Sequence, residues 1–354
     1  MKIAAKKWIK FIASAVIVVT TLSLIQAILM PKYSVDGPLE GAFVAEYYDE
    51  VKDHDVIFVG DCEVYENFSP IVLWRDYGIN SYIRGSADQY IYQSYYLLED
   101  TLRYETPDVV IFNVQALDPK REAEAKEAYN RMTIDGMKWS PSKVGAINSS
   151  MLEDEHFLDY VFPILRYHSR WSDLNRSDFT HMFKSEKVSH NGYLMKVGVK
   201  PADNVPEGKP LPSYEFTEKA WEHLDKMVEL CEEKGIKLLL IKAPSLYPYW
   251  YPEYDEQVVD YAKKHGLTYI NFLDIQDETG IDYTKDTYDM GLHMNVEGAE
   301  KLSTWLGKYL TENMGLTDRR DEEALSEIWL DKIAFYEADK KAKYEEYEKK
   351  LEAN

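Results

Sequence analysis

Cysteine is nearly missing from this chain: Cys62 and Cys231 are the only two among 354 residues. Two thiols exclude a disulfide framework and a cysteine-built metal cluster, although one bridge between them is compatible with the sequence. Acids and histidines do not cluster at ligand spacing either, so neither a metal nor another cofactor is expected. Cations are in deficit, with 41 Lys and Arg against 62 Asp and Glu and a net charge of −21. A nucleic-acid partner needs clustered cations that release counterions from phosphates, and this balance argues against one. Repeats and low-complexity segments are absent. With 45% hydrophobic residues, a chain of this length fits one sizeable α/β domain with extensions better than two equal domains.

Long apolar runs are scarce as well, with one exception. Lys2, Lys6, Lys7 and Lys10 precede Phe11 to Met30, a stretch without a charge and rich in Ile, Val, Leu and Ala. At the helical rise it is long enough to cross a bilayer's hydrocarbon core, so residues 1–32 read as a basic flank and transmembrane anchor. The lysines are then cytoplasmic, and everything after about Tyr33 lies outside. A cleaved signal peptide is the competing reading; the length of the run and the poor small-residue site at Ile25-Gln26-Ala27 weigh against it.

Four shorter apolar runs follow: Val56 to Val59, Val109 to Val114, Lys237 to Ile241 and Leu267 to Phe272. Helical patterns separate them, which predicts repeated β-α units and a doubly wound, flavodoxin-like parallel sheet, with a further short strand at Ser81 to Ile83. Apolar on both faces, these strands should be buried, and ligands belong at their carboxyl ends. The domain so delimited covers residues 33–316. Between about 116 and 214 the pattern changes to helical stretches at Lys120 to Arg131 and Glu153 to Leu165, then a proline-rich segment from Pro201 to Pro212. This reads as an insertion over the active edge. In the charged segment 317–354, Leu325, Trp329, Ile333, Tyr336, Tyr344, Tyr347 and Leu351 recur at helical spacing, as in a helix packed on the domain or one that binds a partner. Cys231 shares an apolar stripe with Leu224, Met227 and Val228 and reads as a core thiol.

The first strand ends in Gly60-Asp61-Cys62-Glu63, a later one in Asn113, and Asp289-Met290-Gly291-Leu292-His293 lies near the end of the domain. In a doubly wound sheet these segments converge on one edge. Together with Gly85 of Arg84-Gly85-Ser86, they resemble the four blocks of the SGNH, or GDSL-like, hydrolase superfamily. Those blocks are a nucleophile in a Gly-Asp-Ser turn, a glycine, an asparagine, and a late Asp-x-x-His before a helix. The likeness runs from about Asp55 to Leu310, and Asn295, Gly298 and Ala299 continue it after His293. Two departures stand out: a cysteine replaces the serine, and Asp289 precedes His293 by four residues rather than three.

The resemblance implies that Cys62 attacks an ester or thioester carbonyl as a thiolate of lowered pKa, His293 takes the proton, and Asp289 holds the imidazole. It further implies an oxyanion hole built from the backbone N–H groups of Cys62 and Gly85 and the side chain of Asn113. A cysteine also fills the serine's volume in a degenerate, ligand-holding relative, so the accessory reading stays open. Substrate contacts are expected from Arg166 and Arg170 in the Arg-Tyr-His-Ser-Arg-Trp run, and from Lys242, Tyr247 and Trp250 in the aromatic loop after the fourth strand. Solvated charges and lid packing are the plainer alternatives for these two segments. An anchor joined to such a domain resembles the membrane-tethered proteins that act beside membrane-bound O-acyltransferases, among them the D-alanyl-transfer proteins of teichoic acid modification, whose turn reads Gly-Ser-Ser-Glu. The implied function is acyl transfer to, or removal from, a cell-surface glycopolymer, with the polymer or its acyl donor, a membrane-bound O-acyltransferase and the membrane as partners.

Overall fold

The computed structural model describes residues 2–31, 41–180 and 187–353. Five parallel strands form one sheet: β1 (Val56–Gly60), β2 (Ser81–Gly85), β3 (Val109–Asn113), β4 (Lys237–Lys242) and β5 (Thr268–Asn271). Their order is β2-β1-β3-β4-β5, the flavodoxin-like doubly wound arrangement. Side chains alternate strictly between two cores. Val56, Phe58, Val109, Ile111, Leu239 and Ile241 enter one apolar layer, while their neighbours Ile57, Val59, Val110, Phe112, Leu238 and Leu240 enter the other. Helices on both faces cover these layers, which is why the central strands β1, β3 and β4 are apolar along their middles. The order reverses between β1 and β3, so the crevice at their carboxyl ends is the place the topology opens for a ligand.

The insertion is built from shorter helices than its sequence pattern outlines. The helix expected over Lys120 to Arg131 is two short helices, Pro119–Ala123 and Glu127–Ile134. The one expected over Glu153 to Leu165 is divided into Phe157–Val161 and Ile164–Tyr167 by Pro163, which has no N–H to continue the first. Ile134, Met137, Ala146, Ile147 and Tyr160 give this region a small core of its own with Val44 and Leu97. Farther along, a tight turn bridged between His190 and Tyr193 lies along the outer edge of β2. Asn191 accepts a hydrogen bond from Ile83 N at 3.0 Å and donates through its amide to Ser81 O at 3.1 Å, which caps a strand edge that would otherwise offer unpaired groups.

The helix Glu323–Ala353 buries Leu325, Trp329 and Tyr336. Trp329 stacks on Trp74 with ring centroids 5.2 Å apart, so the charged segment packs on the domain. At the other end, the helix Lys2–Leu29 contains one span long and apolar enough to cross a membrane.

Candidate active site

Gly60 ends β1 where a side chain would not fit, because a Cβ there would lie 2.5 Å from Val64 Cγ2. The chain then turns into the short helix Cys62–Tyr65, capped by Asp61, whose carboxylate accepts from Glu63 N at 3.1 Å. Gly85 closes β2 beside it, with room for a Cβ only 3.0 Å from Gly60 O. The late loop leads into the helix Val296–Met314, which Asn295 caps by accepting from Gly298 N at 3.1 Å. Asn67 joins the two loops, since its carbonyl oxygen accepts from Met294 N at 2.8 Å.

His293 Nδ1 lies 2.7 Å from Asp289 Oδ2, and the His293 backbone N–H donates to Asp289 Oδ1 at 2.8 Å. The four-residue spacing is therefore no obstacle to this contact. Met290 and Gly291 take positive φ values of 69° and 94°, and that left-handed pair absorbs the extra residue. A second carboxylate attends the ring: Glu66 Oε2 is 3.6 Å from Nδ1 and accepts a hydrogen bond from Tyr288. The other ring nitrogen, Nε2, is buried without a hydrogen-bond partner, yet His293 and Cys62 lie close enough to shift one another. Burial disfavours the imidazolium, but charge on Cys62 and Glu66 and the contact with Asp289 outweigh it, so His293 holds its proton well above the ordinary histidine range.

The thiol corrects one expectation. Although Cys62 is partly exposed, the protein around it pushes its pKa up rather than down, against the lowering influence of His293 and Arg121. Desolvation outweighs both cations, and Asp61 adds to it. Arg121 was not singled out in the sequence. Its guanidinium, nearly enclosed, donates to Asp61 at 2.5 Å through Nη1 and to Asp88 Oδ1 at 2.8 Å through Nε. The signal was a lone arginine after β3, which sequence alone could not link to an aspartate sixty residues earlier.

Asn113 also departs from the oxyanion role. Its amide donates to Glu63 Oε2 at 3.0 Å and Asp61 Oδ1 at 3.3 Å, and its carbonyl oxygen accepts from Ala243 N at 3.1 Å. Both carboxylates sit under the Cys62 turn, and they claim the donors that an oxyanion would need. Lys242 is a second correction: fully buried, it pairs with Glu63 at 2.9 Å and donates to Ala243 O, so it serves the floor of the site instead of a substrate. Trp250 is buried too, with its indole N–H on Asp255 at 3.1 Å. Arg166 and Arg170 lie outside the crevice, on Glu127 and Asp178 respectively. Tyr247 remains at the rim of the site, where its hydroxyl donates to Asp289 O at 2.5 Å. It lines a cleft of about 330 Å³ with Asp118, Lys120, Tyr249 and Tyr251. Among the described residues, no group of acids, histidines and cysteines is placed to hold a metal.

No protein-family model matches this sequence, and no curated protein matches it. Solved structures do align with it at low similarity. A protein assigned to the G-D-S-L lipolytic family from Desulfitobacterium hafniense is 14% identical with a TM-score of 0.37, covering 72% of this chain and 99% of its own. A protein assigned as an acylhydrolase from Bacteroides fragilis is 13% identical at a TM-score of 0.36, covering 76% and 95%. A GDSL-like lipase from Bacteroides thetaiotaomicron is 12% identical at 0.33, covering 76% and 96%.

Proposed function

We propose that the chain is a membrane-anchored, SGNH-like acyl-transfer protein whose soluble domain lies outside the cytoplasmic membrane and acts on a cell-surface glycopolymer. The observation that supports this reading is the gathering of Asp289, His293 and Cys62 at the sheet's switch point, with the imidazole fixed at 2.7 Å from its carboxylate and near enough to the thiol for the two to influence one another. In the reacting form the proton of the Cys62–His293 pair resides on the imidazole, and the Cys62 thiolate attacks the donor's acyl carbonyl. A carbon–sulfur bond forms, the donor's carbon–oxygen bond breaks, and the proton passes from His293 to the departing oxygen. An acceptor hydroxyl on the polymer then gives its proton to His293 and attacks the thioester, which restores the thiolate. The Tyr247 cleft is the acceptor side of this scheme. Intact-mass measurement after exposure to an activated acyl ester tests it: the expected result is one acyl adduct, lost in Cys62→Ala, and no adduct on the wild type overturns it.

Two observations favour a second reading, a non-catalytic accessory that binds the polymer or docks a membrane-bound O-acyltransferase. Burial raises the Cys62 thiol, and the Asn113 donors are spent on carboxylates. This reading predicts that Cys62→Ser and His293→Ala leave complex formation and polymer modification in cells intact.

A further inference from the structure

The run Arg166 to Trp171, read in the sequence as a source of substrate contacts, lies in a segment, 157–180, that packs on the helix Lys2–Leu29. The short helices Ile164–Tyr167 and Arg176–Thr180 and the turn His168–Ser172 contact it. Arg170 Nη1 donates to Leu29 O at 2.5 Å, which satisfies a carbonyl at the helix's C-terminal end. Leu29 itself is buried, residues 25–28 and 30 are partly covered, and the helix is exposed from Lys6 to Leu24.

That cover conflicts with the length a membrane requires. From Phe11, the first residue after the basic flank, to Leu24 there are 14 uncovered residues. At about 1.5 Å per residue they reach about 21 Å, short of a hydrocarbon core of about 30 Å. The apolar run completes the distance only by including residues 25–30, the part wrapped by segment 157–180. The wrapping residues therefore stand at the level where acyl chains meet headgroups. Their outer surface matches that level: Leu158, Phe162, Leu165, Trp171 and Phe179 are between 45% and 69% exposed. Such a collection of large apolar groups in one short segment is costly in water and is the surface expected of an interfacial element, with tryptophan at the headgroup level.

We infer that segment 157–180 is a collar that inserts these side chains into the outer boundary of the bilayer, giving the domain a second attachment beside its anchor. The inference rests on the membrane-spanning reading of Lys2–Leu29. A single helix leaves a domain free to swivel, whereas two adjoining attachments fix which side of it faces the lipid.

The test uses the full chain in vesicles of phosphatidylcholine and phosphatidylglycerol, with a benzophenone amino acid replacing Ile17, Trp171 or Lys341 in separate preparations. All three side chains are well exposed, so folding is not at stake. After illumination, mass spectrometry reads lipid adducts. The expected result is adduct at both Ile17 and Trp171, with about tenfold more at Trp171 than at Lys341, the ratio set by burying roughly one large apolar group. Adduct at Ile17 with only the Lys341 level at Trp171 overturns the collar and leaves the anchor standing. Cross-links from Trp171 to a second copy of the chain overturn it in favour of self-association. Absence of adduct at Ile17 overturns the spanning reading itself.

Discussion

Cys62 and Cys231 lie against opposite faces of one sheet, and both are free thiols pushed upward by burial. Their surroundings differ in sign. Around Cys231, burial and Glu232 act together and push the thiol up to about 12. Around Cys62 the same burial is opposed by His293 and Arg121, each brought there from a distant part of the chain. A buried thiol is thus inert by default, and a fold makes it responsive only by supplying cations that compensate the lost solvation.

The largest expected contrast is in alkylation. At pH 8 a thiol at about 12 is ionised in roughly 1 molecule in 10⁴, and Cys231 is enclosed besides. Timed iodoacetamide labelling with peptide mapping should modify Cys62 at least about 100-fold faster than Cys231. Equal labelling would erase the distinction. Next comes His293→Ala, which removes the largest influence lowering the Cys62 thiol. The Cys62 labelling profile should move to higher pH, with a loss of about 10-fold or more in rate at pH 7. Cys231 labelling should not change.

The third contrast concerns stability at alkaline pH. Folded Cys231 keeps its proton up to about 12, whereas the unfolded chain loses it above the ordinary thiol value of 9.0. Between those values the native state binds more protons, so stability falls as pH rises. The slope contributed approaches about 1.4 kcal/mol per pH unit, and it should vanish from denaturation curves of Cys231→Ala. A slope unchanged in that variant would place the alkaline loss elsewhere.

The sheet was legible because its central strands β1, β3 and β4 are apolar runs, and the run at Cys231 announced its burial by helical spacing. The positions of Cys62 and Gly85 followed from strand ends, and that of His293 from the Asp-to-His motif before the helix Val296–Met314. Hydrogen-bond allegiance did not. Nothing local to Asn113 says that its amide turns to Asp61 and Glu63, and nothing in Lys242 says that it neutralises a glutamate from the end of β1, because both pairings exist only once β1, β3 and β4 lie side by side. The Arg-Tyr-His-Ser-Arg-Trp run could not be placed for a related reason. Cations interleaved with aromatics suit more than one kind of surface, and only the contact with the helix Lys2–Leu29 says where the segment sits.

The smallest expected effect separates the two carboxylates that set His293 apart from an ordinary histidine. Asp289 is at hydrogen-bond distance from Nδ1, but Glu66 at 3.6 Å acts through charge alone. Burial also raises the pKa of Glu66, which limits how much of that charge is present. Both side chains are buried, so bulk solvent does little to screen the pair, and it is the protonation of Glu66 that keeps its effect small. Glu66→Gln keeps the volume and an acceptor for Tyr288 while removing the charge. With less negative charge beside it, His293 loses part of its raised proton affinity, and the imidazolium facing Cys62 becomes less populated. Cys62 alkylation should therefore slow only about threefold to fivefold at neutral pH, far less than in His293→Ala. A loss as large as that of His293→Ala would make Glu66, and not Asp289, the group that positions the imidazole.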